Sequence, residues 1–174
     1  MISDGEEKKA SPETAPGEES SFVPATAEEI ARIPGRILGV DFGDVRTGLA
    51  VSDVSRYLAS GIGTVKPGGI AATVTAVAAA ALERGVTAAV VGLPVNMDGT
   101  EGKRAGRCRE FARMLSEKAG IPVMMCDERL STVAASRYLN ETDTRGRARK
   151  KVIDALSAEL ILQSALDRIR NLNR

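Results

Sequence analysis

Any chemistry in this 174-residue chain is done without histidine, because the sequence contains none. That removes Ser-His-Asp and Cys-His nucleophilic arrangements and every zinc site with a histidine ligand. The two cysteines, Cys108 and Cys126, form no CxxC pair, so an all-thiolate metal site is excluded. A disulfide between them is open in principle, but two cysteines in a chain of this size read as buried thiols of a cytosolic protein. Carboxylates remain, and the informative ones stand where a carboxylate is costly.

Asp41 ends the apolar run Ile37-Leu38-Gly39-Val40. An unpaired buried carboxylate is unfavourable by several kcal/mol, so such a position needs a reason; a turn residue opening Gly43-Asp44 is the plain one. Asp127 and Glu128 follow Val123 to Cys126, at the carboxyl end of an expected strand, where α/β sheets place their ligands. Acids entering a helix ahead of Ser131 are the alternative there. The two point to opposite faces of any continued strand, and Glu128 is preferred for its longer reach. Asp154 lies in line with Ala158, Ile161 and Ala165 on a helical pattern, so it points inward or to a cleft edge; a first-turn acid favoured by the helix dipole is the other reading. Carboxylates from two strands and a helix can hold one or two Mg²⁺ or Mn²⁺ ions. Such ions activate water and stabilise the leaving oxygen of a phosphodiester. The metal-ligand candidates are therefore Asp41, Asp127, Glu128 and Asp154.

Cations support a polyanionic substrate. Arg145, Arg147, Arg149, Lys150 and Lys151 fall within seven residues without an acid among them. Lys103, Arg104, Arg107, Arg109 and Arg113 form a second cluster interrupted only by Glu110. Solvated surfaces explain such clusters too, but the charge split favours phosphate. The whole chain has 24 basic and 23 acidic residues, residues 1–35 carry −5, and residues 36–174 carry +6. Trp is absent and aromatics are 3%, which disfavours rows of base-stacking platforms and favours recognition of duplex shape and phosphates.

These residues need a scaffold. Residues 1–35 are rich in Glu, Ser, Pro, Ala and Thr and read as a disordered acidic tail, with one helical turn at Thr26–Ile30 open through a Thr26/Glu29 capping box. The ordered domain is expected over 36–174. Strands are predicted at 36–42, 47–52 and 58–65, the last weakened by Gly61 and Gly63. A helix follows over 70–84, a buried strand over 87–93, and a loop with an Asp98-Gly99 turn. Then come a helix over 103–119, a strand over 121–126, and a helix capped by Ser131-Thr132 through Leu139. A polar loop over 140–149 precedes a final helix, apolar over most of its circumference, which core burial explains better than an interface. Three strands followed by alternating helices and strands give an α/β mixed sheet with helices packed on it. The acidic, polar N-terminus is unlike a signal peptide. The longest uncharged run, Pro67 to Leu82, is shorter than the roughly 20 apolar residues of a membrane span, so a soluble cytoplasmic protein is expected.

The same residues resemble the YqgF/RuvX proteins, a branch of the RNase H-like fold. The likeness rests on four stretches: Ile37 to Gly43 with Arg46, Gly48 and Val51-Ser52-Asp53; Val90 to Glu101; Asp127-Glu128-Arg129-Leu130-Ser131-Thr132; and Val152 to Ala158. It covers about residues 36–168. It implies a five-stranded RNase H-like sheet in βββαβαβα order and a nuclease maturing the 5′ end of pre-16S rRNA, the ribosome being a conceivable partner. Its catalytic acids would be Asp41, Glu128 and Asp154, with Asp127 a further metal ligand and Arg46 and Arg129 among the nucleic-acid contacts. Asp44 and Ala155 stand where the family often has Thr or Ser, and Ser, respectively. A resolvase of branched DNA and a non-catalytic RNA-binding factor are the alternatives, while a kinase of the actin-like fold would need two such domains. Monomer and homodimer both stay open.

Overall fold

A computed structural model describes residues 22–66, 68–129 and 147–172, the side chains of 147–153 excepted. Its elements are α1 (Ala27–Arg32), β1 (Arg36–Asp41), β2 (Thr47–Ser52), β3 (Ala59–Val65), α2 (Ile70–Glu83), β4 (Val86–Leu93), α3 (Lys103–Ala119), β5 (Val123–Asp127) and α4 (Arg147–Leu172). The strands form one mixed sheet in the order β3-β2-β1-β4-β5. The pairs β1/β2 and β2/β3 are antiparallel, and β1/β4 and β4/β5 are parallel. This is the expected α/β architecture.

The central strand β1 shows why its inner residues, 37–40, are all apolar. Ile37 and Gly39 face α4, while Leu38 and Val40 face α2 and α3. A strand covered on both faces has no polar side to show. On the second face Phe42 stacks on Phe111, with ring centroids 4.5 Å apart at 15°, which adds about 0.5–1.5 kcal/mol beyond burial. On the first face α4 buries Ala158, Ile161, Leu162, Ala165, Leu166 and Ile169. That spacing of three and four residues is one helical stripe, so its apolar circumference serves the core, as expected. The weak point of β3 is a register shift opposite Leu49/Ala50, where Gly63 takes φ +114°.

The expected boundary at residue 36 needs correction. Residues 22–35 belong to the packed unit. Thr26 and Glu29 form a reciprocal capping box, Ile30 is fully buried among the α4 side chains, and the Ala25 N–H donates to the Val123 carbonyl at 2.9 Å. Arg56, in the left-handed region at φ 61°, donates from its guanidinium to the carbonyls of Ile30, Ile33 and Gly35. Composition averaged over the tail hides two buried side chains, and the Arg56 contacts are made between residues distant in sequence. The final helix also begins earlier than expected, at Arg147, so the expected loop stops short of 147. The helix expected over 131–139, the loop at 140–146 and most of the tail lie outside the described residues.

Candidate active site

The sheet and the helix packed on it bring three carboxylates to the same end of one face. Alternation along β1 puts Asp41 on the face of Ile37 and Gly39, beneath α4. The strand after β5 keeps its pairing, because the Glu128 N–H donates to the Leu93 carbonyl at 3.1 Å. The alternation of Met124 and Cys126, both packed on the α4 side, therefore extends to Glu128. Its carboxylate lies over Gly92, where an added Cβ would be 2.7 Å from Oε1. Asp154 arrives from above. Its backbone carbonyl sits over Gly48, 1.9 Å from where a Cβ would stand, and Gly48 is the ladder partner of Asp41. Glycine in a strand marks close backbone approach. Gly48 and Gly92 thus position Asp154 and Glu128, roles that the sequence reading did not assign to them.

The electrostatics follow from this crowding. Burial raises the Asp41 carboxyl above the usual range, Arg104 opposes that, and Asp154 adds to it. Burial also raises Glu128, with Asp41 the next contributor and Arg104 again opposing. Asp41 thus feels Asp154, Glu128 feels Asp41, and Arg104, on the first turn of α3, is the countercharge common to Asp41 and Glu128. Burial and this acidic field push the Cys108 thiol up to about 12, so Cys108 is no nucleophile near neutral pH.

Asp127 lies apart from the three. Arg129 donates to both of its oxygens, from Nε at 3.1 and 3.0 Å and from Nη2 at 2.7 Å. That hydrogen bonding holds the carboxyl below the usual range. The expected cations divide likewise. Arg46 approaches Asp154, with Nε 2.8 Å from Oδ2. Arg107 pairs with Asp44 at 2.7 Å. Arg129 is held by Asp127, and Lys103 is exposed on the first turn of α3. Arg147, Arg149, Lys150 and Lys151 lie on the first turns of α4, and Arg145 is outside the described residues. Beside the site the β4–α3 loop is internally braced: Asp98 accepts from the Thr100 N–H and hydroxyl, and Asn96 donates to Thr100.

The donor set fits a hard divalent cation. It is all-oxygen, its two deepest acids are charged at a cost, and Asp154 Oδ2 is buried without a hydrogen-bond partner among the described residues. The side chains are not closed on a common point: among the described residues no three His, Cys, Asp or Glu groups are gathered tightly enough to hold an ion. No helix of the described residues is long and apolar enough to cross a membrane.

Known proteins are similar to this chain in sequence and in fold. A chain from Myxococcus xanthus, named "Putative pre-16S rRNA nuclease", is 47% identical over 132 residues, covering 76% of this chain and 87% of its own. A chain of the same name from Rhodopseudomonas palustris (strain BisB5) is 46% identical over 140 residues, covering 80% and 88%. Among solved structures, Thermus thermophilus RuvC in complex with a Holliday junction substrate superposes with a TM-score of 0.53 at 16% identity, covering 78% of this chain and 96% of that one; this supports the fold. The family model described as "RuvX: Holliday junction resolvase" matches residues 35–168. With that span and those relatives, the chain belongs to the RuvX family.

Proposed function

We propose that this protein is an endonuclease that hydrolyses phosphodiester bonds in structured RNA, its substrate being the 5′-extended precursor of 16S rRNA. The observation that carries the reading is the convergence of Asp41, Glu128 and Asp154, from β1, the end of β5 and α4, on one face at the carboxyl ends of the parallel strands. The relatives' names agree with it. Asp41, Glu128 and Asp154 would hold Mg²⁺ or Mn²⁺. When bound, such an ion supplies a more acidic water and charge neutralisation at the phosphate. Arg104 lowers the pKa of both half-buried acids, Asp41 and Glu128, and is placed to orient a phosphate toward them. Lys103, Arg107 and Arg129 extend the phosphate-binding surface along a duplex backbone.

A second reading, cleavage of branched DNA, is favoured by the family description and by the junction-bound fold neighbour. Both are tested together by incubating the purified full chain with a 5′-extended 16S rRNA precursor and a four-way DNA junction in Mg²⁺ or Mn²⁺, beside Asp41→Asn and Asp154→Asn. Cation-dependent cleavage of the RNA, lost in both variants, is expected. Preferential cleavage of the junction replaces the first reading with the second. Salt-sensitive binding without cleavage, indifferent to both variants, makes the protein an RNA-binding factor.

A further inference from the structure

The group that sits against Asp154 is itself a cation. Arg46 Nε lies 2.8 Å from Asp154 Oδ2, with the two side chains 21% and 23% exposed. The approach is close but misaligned, since that same oxygen has no hydrogen-bond partner among the described residues. On one side the contact is fixed: the Asp154 backbone presses on Gly48. On the other it is not. Arg46 stands in the β1–β2 turn next to Val45 and Asp44, both exposed, so the guanidinium can leave without disturbing the sheet.

Charge makes the exchange reasonable. Asp41, Glu128 and Asp154 with Arg46 and Arg104 leave one net negative charge, and a divalent ion with one phosphodiester adds one positive charge and brings the site to neutrality. A cation entering while Arg46 stays would share one oxygen with a guanidinium, and like charges so close repel. Arg46 is the partner that loses least by moving, because no aligned hydrogen bond is broken. We propose that Arg46 is a displaceable counter-ion: it neutralises Asp154 in the cation-free protein, yields that oxygen to the incoming divalent ion, and then binds the phosphodiester at the rim of the site, where a guanidinium fork suits phosphate oxygens. This deepens the reading of the three acids as a cation site and rests on it.

The test is Mn²⁺ binding to the full chain by titration calorimetry without nucleic acid, so it reads the counter-ion separately from cleavage. Arg46→Gln and Arg46→Ala are expected to bind Mn²⁺ about tenfold more tightly than wild type, and Mn²⁺ to raise their Tm by more. Arg46→Lys keeps the charge and should stay near wild type. Arg107→Gln removes an equal charge from Asp44 and should change Mn²⁺ affinity by less than about threefold. In Ca²⁺, binding of duplex RNA should weaken in Arg46→Gln although the ion binds better. Unchanged or weaker Mn²⁺ binding in both neutral variants overturns the proposal, as does an equal gain in Arg107→Gln or no Mn²⁺ binding by any form. Wild-type cleavage, assayed in parallel, decides the nuclease reading whichever way the Mn²⁺ result falls.

Discussion

Adding one methyl group at Gly48 should separate α4 from the sheet at the point where both carry a candidate catalytic acid. An ideal Cβ there stands 1.9 Å from the Asp154 carbonyl oxygen and 2.5 Å from its carbon, whereas real Cβ contacts essentially never fall below 3.0 Å. The backbones must part by at least about 1.1 Å, and no flexible side chain can absorb the change. Overpacking of this kind costs about 1–3 kcal/mol. For a domain of this size each kcal/mol lowers Tm by about 2–4 °C, so Gly48→Ala should melt roughly 2–12 °C below wild type. A displacement near 1 Å can cost about 10²-fold in rate, so cleavage should fall by that order while the fold persists. Gly106 provides the contrast. It is exposed in α3 with nothing within 4 Å of its would-be Cβ, and Gly106→Ala should gain up to about 1 kcal/mol from helix propensity. Circular dichroism melts and cleavage rates on all three proteins decide the matter. Wild-type Tm and activity in Gly48→Ala would refute the close approach of α4 that the site depends on.

Gly92→Ala should act differently, because its Cβ would meet Glu128 Oε1 and Ile161 Cδ1, each at 2.7 Å. Both are ends of flexible side chains, so Tm should fall less than in Gly48→Ala while cleavage falls at least about tenfold; the opposite pattern would show that Glu128 does not act from above Gly92. Glu128→Gln should lose about 10²-fold or more in cleavage and Asp127→Asn less than about threefold, since the Asp127 carboxylate is turned to the exposed Arg129; equal losses would undo the assignment of Glu128 over Asp127. Asp53 accepts from the N–H groups of Leu58, Tyr57 and Ser55, which lowers its pKa, the Leu58 bond most. A folded value below the unfolded one of about 4 stabilises above that pH and is lost as pH falls through the folded value. The Tm deficit of Asp53→Ala should therefore be full at pH 7 and narrow below about pH 4, and a deficit independent of pH would argue against it.

Much of the site is visible in the sequence for a local reason. Asp41 ends a run that is apolar on both faces, and Asp154 lies in register with an apolar helical stripe, so each acid announces itself against its neighbours. The mixed sheet follows from the order of short β-rich and 3.6-periodic segments. By contrast, α1 is written in only a capping box and two apolar side chains, and it is held by Arg56 from the β2–β3 turn, a contact that no local pattern encodes.

The choice between Asp127 and Glu128 shows where sequence stops. Adjacent residues differ only in which face they point to, and that phase depends on whether the strand pairing continues past β5. One hydrogen bond between Glu128 and Leu93 continues it. The same holds for the glycines and the arginines. Sequence supplies residues lacking a Cβ and a set of positive charges. Which acid a guanidinium meets, and which backbone settles into the space a side chain would fill, depend on packing between elements far apart in the chain. Residue types and periodicity determined the acids and the layers that carry them; tertiary packing decided that Gly48 and Gly92 make room for Asp154 and Glu128, and that Arg46 rests on Asp154 while Arg129 rests on Asp127.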